Sequence, residues 1–399
     1  MIYLDHAAAT PVSKKVLSSM LPFFTEEFFN PSAAYLPANQ VREKFESSKS
    51  TIANFIGAKA SDLIITSGAT EANALAFTVV KNFERGTNLR KKDVSASVIS
   101  PKVLVLETEH ASVLEAAKTY PFETIKVDKT GLIDLPDLKK KLSDEVVLVS
   151  VSLANNELGT IQPLSEISQI LRQERLSRLE KGITTPIFLH SDASQGLSLL
   201  DINVSRLGVD LLTLNAAKVS GPKGVGALYA SHDVRLSPLY RGGGQERGLR
   251  GGTENVPGVV GFATALESLK NHSAAQRKKY THLVENLKTE LEKSKIPPVF
   301  LGNKKSRLSN FLPVCFPGLD AERIIFKLED RGVYVSTGAA CAASKGEPSH
   351  VLRAIGLSPE EIAGSLRISL GVLNNEKNIS EAGRIIREVV NEEYERVYG

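Results

Sequence analysis

Short apolar runs rich in β-branched residues alternate along this chain with longer segments of helical period. That alternation constrains the fold more than any other feature. Leu63–Thr66, Val103–Glu107, Glu123–Val127, Val146–Leu153, Ile187–Ser191 and Leu211–Leu214 read as buried strands. Between them, Glu71–Phe83, Leu114–Thr119, Leu135–Lys141 and Ser165–Arg178 read as helices. Such a pattern predicts an α/β fold on a mostly parallel sheet covered on both faces. Gly226–Ala230 follows the last of these strands too closely for a helical crossover, so it is predicted to lie antiparallel in the same sheet.

Beyond about residue 260 the pattern changes. A single long amphipathic helix is predicted over Val259–Lys293, then strands near Asn310–Phe316 and Val333–Val335, and helices near Glu360–Gly364 and Glu381–Val397. This describes a smaller α+β domain, and 399 residues suit two to three domains. The charged segments Arg85–Pro101 and Arg172–Lys181 read as solvated excursions. A formal charge of 49 − 45 = +4, evenly spread, excludes nucleic-acid binding driven by charge. Apolar stretches reach about ten residues, half of what a spanning helix needs, so no membrane role is expected. The first residues, Met-Ile-Tyr-Leu-Asp-His, carry no secretory signal, and a cytoplasmic location is expected. Two cysteines rule out a disulfide framework, and no ligand spacing suits a structural zinc.

In open α/β sheets ligands sit beyond the carboxyl ends of the strands. The first strand leads into Ser67-Gly68-Ala69-Thr70-Glu71, which suits either an anion at a helix N-terminus or an ordinary N-cap. His110 follows the second strand and could stack on an aromatic ligand, shuttle a proton or simply pack. Asn155-Asn156 precedes a glycine turn and is uninformative alone. Asp192 ends a buried strand and needs a cationic or protonated partner, with Gln195 a few residues on. Lys218 emerges from an apolar strand, where desolvation would make its amine nucleophilic. Any one of these is ambiguous. Together they fit pyridoxal phosphate (PLP), with Lys218 as its covalent anchor and Asp192 facing the pyridine nitrogen.

At this point the sequence resembles a known family. Tyr3–Thr10 (Tyr-Leu-Asp-His-Ala-Ala-Ala-Thr), Thr66–Glu71, Thr108–His110, Asn155–Glu157, Asp192–Gln195, Lys218–Gly224 and Gly251–Asn255 resemble the NifS/IscS-type cysteine desulfurases. The likeness continues through Ser336–Cys341, Glu347–Gly356 and Ser365–Gly371, and so runs in order along nearly the whole chain. It implies a fold-type I PLP-dependent transferase of the class V aminotransferase group, with a seven-stranded sheet in the large domain. Residues 13–260 would form that PLP-binding domain. Residues 1–12 and 261–399 would form the small domain carrying a sulfur-acceptor cysteine loop.

The resemblance also assigns roles. Lys218 would form the Schiff base and carry protons, and His110 would stack on the ring and take part in proton transfer. Asp192 would pair with the pyridine nitrogen, with Gln195 and Asn156 near the ring oxygen. Ala69, Thr70 and Asn215 would meet the phosphate, helped by Thr253 from the second subunit of a homodimer. Asn30 and Arg367 would hold the carboxylate of L-cysteine, for which arginine has bidentate geometry. The Cys341 thiolate would take the sulfur as a persulfide and leave alanine. A sulfur-acceptor protein, such as an iron–sulfur scaffold or a tRNA-thiolation protein, would then be its partner. The other cysteine, Cys315, reads as strand packing. A selenocysteine lyase, another lyase of the group, and a weakened sulfur-relay scaffold are the rival readings.

The chain departs from the family pattern at one informative place. Members usually read Ser-Gly-His-Lys or Ser-Ala-His-Lys before the glycine-rich turn, whereas this chain reads Asn215-Ala216-Ala217-Lys218. Asparagine can still donate to a phosphate and alanine cannot. Loss of one such bond to a charged group is worth roughly 1.5–3 kcal/mol. The expectation is PLP kept through Lys218 but anchored less firmly at its phosphate. Tyr35 and Gln245 also stand where histidines are common in the family.

Overall fold

A computed structural model describes residues 1–89, 100–269, 273–338 and 348–399 of the chain. Its strands are β1 (Ile2–Tyr3), β2 (Leu63–Thr66), β3 (Lys102–Leu106), β4 (Phe122–Ile125), β5 (Val146–Ser150), β6 (Phe188–Asp192), β7 (Leu211–Asn215), β8 (Gly226–Ala230), β9 (Val299–Phe300), β10 (Phe311–Cys315), β11 (Val333–Tyr334) and β12 (Ser365–Ser369). Among the described residues, β2 to β8 form a seven-stranded sheet in the order β2-β8-β7-β6-β5-β3-β4. All neighbours are parallel except β8, which runs antiparallel to both β2 and β7. The predicted mostly parallel sheet with one reversed strand is therefore what forms. The central strand β5 is buried along its length, and β7 as far as Leu214, because each carries apolar side chains toward both helical layers.

The strand order reverses between β3 and β5, so the carboxyl edge of the sheet opens a crevice there. Helix Ala69–Leu89 follows β2, and helix Ala111–Ala117 follows β3. Both begin at that edge.

Around β10 a second layer forms, with β12 and β9 antiparallel to it. β1 runs parallel to β11, and Asp5 bridges to Ser369 at the end of β12. The first residues are thus woven into the C-terminal part of the chain. They then cross to the large sheet, where the Ser13 side chain accepts the Val16 N–H and starts helix Lys14–Met20.

The single helix expected over Val259–Lys293 is corrected. Helices Val256–Leu269 and Ser273–Leu291 stand there, with residues 270–272 outside the described residues. They serve different cores, which is the physical reason for two elements. The first packs Val259, Phe262 and Leu266 with the large sheet's helices, and the second packs Tyr280, Leu283 and Leu287 against β10 and helix Glu376–Tyr398.

A second correction concerns Arg172–Lys181, where Arg172, Glu180 and Lys181 are exposed as expected but the segment is helical and not an excursion. It is the end of helix Leu164–Glu180, and Arg178 is buried. The Arg178 guanidinium donates to Glu174 and to the carbonyls of Ser143, Val146 and Thr185, so its burial leaves few N–H groups without an acceptor. The other charged stretch, Arg85–Pro101, falls largely outside the described residues. Among the described residues no helix is long and apolar enough to cross a membrane.

Candidate active site

Five strand ends deliver the polar side chains to one edge. β2 leads through Gly68, at φ 151°, into helix Ala69–Leu89. Close approach at this turn requires glycine at position 226 on β8. A Cβ there would lie 2.8 Å from the Gly68 backbone. Glu71 in the helix's first turn would repel an anion. Its carboxylate is instead engaged by the Ser67 N–H at 2.6 Å and by Arg250 at 3.2 Å, which leaves the free N–H groups of the helix start to act. Ala69 is half-buried and Thr70 is exposed at that start.

At the end of β6, Asp192 is 7% exposed. Each of its oxygens takes one donor from the protein, Ser194 N at 2.8 Å and Asn73 Nδ2 at 2.8 Å. Both oxygens keep lone pairs for a further N–H.

His110 sits after β3 as the N-cap of helix Ala111–Ala117, its Nδ1 accepting the Ser112 N–H at 3.1 Å. Burial lowers its pKa, Asp192 opposes that shift, and Lys218 and His350 add to it. Three expected site residues, His110, Asp192 and Lys218, are thus within electrostatic reach of one another.

Beyond β7 a single 3-10 turn, Ala216–Lys218, folds the chain back, and Ser220 follows in the left-handed region at φ 58°. Lys218 Nζ donates to the carbonyls of Ala7 at 2.8 Å and Ala8 at 2.6 Å. Gln195 Nε2 reaches the same Ala7 carbonyl at 3.0 Å, so the crossing N-terminal segment ties the two together. Asn215 Oδ1 accepts the Ala217 N–H at 3.2 Å, which leaves its amide N–H group as the donor it can offer a ligand. A cavity of about 360 Å³ opens beside Lys218, lined also by His6, Thr10, Gln195, Tyr280 and Phe311.

Arg367 on β12 is 4% exposed. Its Nη2 meets Asp5 Oδ1 at 2.7 Å, and its Nη1 donates to the Gly338 carbonyl at 3.0 Å and the Asn156 carbonyl at 3.3 Å. Among the described residues its Nε is buried without a hydrogen-bond partner. Asn156 is thereby joined to Arg367. Asn30 is exposed and accepts the Ser32 N–H at 2.9 Å, and Thr253 is exposed as well. Among the described residues no hydrogen bond joins either of them to the rest of the cluster.

Cys341 lies outside the described residues, within 339–347. The flanking residues are informative. Ser349 Oγ donates to Glu157 Oε2 at 2.6 Å, and a Cβ on Gly338 would lie 2.4 Å from that same oxygen. Burial raises the pKa of Glu157, ahead of the lowering effects of Ser349, His350 and Arg367. Cys315 is buried on β10, and burial pushes its thiol up to about 11, as suits an inert packing residue.

Sequence reasoning missed Asn73, Ser112, Glu109, Glu157 and Asp5 as site residues. Asn73 carried a signal, a lone amide in the apolar run Ala72–Phe77 one turn after the phosphate-type loop. Glu109 is fully buried beside Asp192. Burial and then the Asp192 charge raise its pKa to about 8, which keeps it neutral next to an ionised neighbour.

The donor set fits PLP: a lysine, a carboxylate with open lone pairs, an imidazole and a helix N-terminus share one edge of the large sheet, and the guanidinium of Arg367 on β12 meets the Asn156 carbonyl there. The comparisons agree. The aminotransferase class V family matches residues 2–381. Cysteine desulfurase IscS 1 of Archaeoglobus fulgidus is 36% identical over 401 residues, covering 98% of this chain and 97% of that protein. The putative cysteine desulfurase IscS 1 of Bacillus subtilis is 36% identical, with 98% of each chain covered. Among solved structures, a NifS-like protein superposes with a TM-score of 0.86 at 31% identity, covering 98% of this chain and 99% of its own. SspA in complex with cysteine gives 0.76 at 32% identity, covering 93% and 99%. The chain belongs to the class V aminotransferase family, in its NifS/IscS-type cysteine desulfurase branch.

Proposed function

We propose that this desulfurase converts L-cysteine to L-alanine on PLP and takes the sulfur onto Cys341. The observation that carries the reading is that Lys218, Asp192 and His110 lie within electrostatic reach of one another at the carboxyl edge of the large sheet, where Arg367 of β12 meets the Asn156 carbonyl. Asp192 would hold the ring nitrogen, His110 the ring face, and Gln195 and Asn156 the side of the ring oxygen. The helix start at Ala69 and Thr70, the Asn215 amide and Thr253 of a second subunit would hold the phosphate. PLP, when bound, supplies an electron sink for negative charge at the substrate's Cα.

The chain's own residues do the rest. Arg367, with Asn30, binds and orients the substrate carboxylate. Lys218 and His110 move protons at the substrate carbons. The Cys341 thiolate attacks the sulfur of cysteine. One S–S bond forms and the Cβ–S bond breaks, and its electron pair stays on carbon, which takes up a proton. Alanine and a Cys341 persulfide are the balanced products.

A homodimer is part of the proposal. Leu17, Leu21, Phe24, Phe28, Tyr35 and Leu36 lie exposed within one stretch of the chain, apolar side chains that a second subunit would cover. A free thiol that must stay reduced suits the cytoplasm, and a sulfur-acceptor protein is the expected partner. The direct test is alanine formation from L-cysteine by the PLP-loaded enzyme and by Lys218→Ala. Equal rates would refute the assignment.

A further inference from the structure

Asn73 has a place in the site that neither the family resemblance nor the roles above give it. It is fully buried on helix Ala69–Leu89, and its one amide nitrogen serves two acceptors. Nδ2 lies 2.8 Å from Asp192 Oδ2 and 2.9 Å from Ser112 Oγ. The orientation of the amide is fixed by chemistry, because an ionised carboxylate accepts only and must face the NH2 group. Both hydrogens are then committed, one to each partner. Ser112 Oγ accepts from Asn73, so its own hydrogen points along its remaining contact, His110 Nδ1 at 2.8 Å. That nitrogen also receives the Ser112 backbone N–H at 3.1 Å.

We infer that Asn73 and Ser112 are positioning residues, a relay that ties the Asp192 carboxylate to His110 and fixes the proton of the neutral imidazole on Nε2. Two donors converge on Nδ1, so that nitrogen carries a lone pair and no hydrogen. With Nδ1 so occupied, Nε2 carries the hydrogen of the neutral imidazole and is the nitrogen from which His110 can donate a hydrogen bond. Protonating Nδ1 requires the Ser112 hydroxyl to turn away and the backbone contact to break. The relay thus opposes formation of the imidazolium. The inference rests on the reading of His110 as a proton carrier for its catalytic consequence, but not for the hydrogen bonds themselves.

The other groups that bear on His110 are Asp192 on β6, Lys218 after β7, His350 on helix His350–Ala354, and Glu109, its neighbour, whose carbonyl accepts from His350 Nε2 at 2.9 Å. The test leaves all four in place. His110 would be titrated by NMR of histidine-labelled, PLP-loaded enzyme in wild type, Asn73→Ala, Ser112→Ala and Ser112→Thr. Loss of the hydroxyl's hydrogen bond to Nδ1 is expected to raise the His110 pKa by about half to one pH unit in Ser112→Ala, and Asn73→Ala, which only frees that hydroxyl to turn, is expected to raise it by less. Ser112→Thr, which keeps the hydroxyl, is expected to titrate as wild type does.

The acid limb of kcat should move to higher pH in parallel, with KM for L-cysteine little changed. Asn73 is buried and its variant could be lost to misfolding, but Ser112 is only half-buried, so Ser112→Ala alone suffices. A His110 titration unchanged in Ser112→Ala would overturn the relay. A shifted titration with an unmoved acid limb would support the relay and overturn instead the reading of His110 as proton carrier.

Discussion

Arg367→Gln probes the most tightly built charge in the cleft. The guanidinium is 4% exposed, and the Asp5 side chain it meets at 2.7 Å is 15% exposed. Glutamine removes the positive charge but leaves Asp5 in place, along with the Gly338 and Asn156 carbonyls that Nη1 had satisfied. Stranding one member of a buried pair costs roughly 3–5 kcal/mol. Asp5→Asn should cost less, because its amide oxygen still accepts from Nη2. In Arg367→Gln combined with Asp5→Asn no charge is stranded, so the double variant should be more stable than the two single losses predict when added. The difference should be on the order of 1–3 kcal/mol. Urea denaturation of the four proteins measures it.

Cysteine kinetics then separate fold from substrate. Arg367→Gln should lower kcat/KM for L-cysteine by roughly 10- to 100-fold, the worth of a hydrogen bond to a charged group. Asp5→Asn keeps the guanidinium and should not. Strict additivity of the stability losses, or wild-type kcat/KM in Arg367→Gln, would refute the reasoning.

Two further outcomes follow from the same geometry. Ala217→His restores a donor that this chain lacks beside Asn215, and PLP should survive dialysis roughly 10- to 100-fold better, read from visible absorbance of bound cofactor. Equal retention would mean that the phosphate is already fully held. Glu109 has a folded pKa of about 8, above its ordinary carboxylate value, because of burial and then Asp192. The folded state therefore binds the extra proton between about pH 4.5 and pH 8, and stability falls as pH rises through that window. Wild type should lose on the order of a few kcal/mol relative to Glu109→Gln between pH 5 and pH 8.5. Parallel urea midpoints at the two pH values would count against a neutral Glu109.

What the sequence disclosed depended on how local the cause was. The strands of the large sheet were legible because burial on both faces demands continuous β-branched runs, and β2 and β8 stand where the pattern put them. The reversed direction of β8 followed from loop length alone. Lys218, Asp192 and His110 could be picked out because each ends such a run. Val259–Lys293 read as one helix because helical period continues on both sides, while the choice of core depends on distant elements. Arg178 looked solvated because the carbonyls of Ser143, Val146 and Thr185 that accept from it come from other segments. The ion pair of Arg367 with Asp5 joins residues 362 positions apart, and no local pattern carries it. The Asn73 relay fails for the same reason, since its two acceptors come from β6 and from the helix after β3.

Mass spectrometry of the PLP-loaded enzyme after L-cysteine, without a sulfur acceptor, bears most directly on the assignment of sulfur to Cys341. One added sulfur on the peptide containing Cys341, matched by one equivalent of alanine, is the predicted result. Cys341→Ala should show neither the mass increase nor sulfur delivery, and Cys315 should stay unmodified. Alanine release with no sulfur on Cys341, or sulfur found on Cys315 instead, would contradict it.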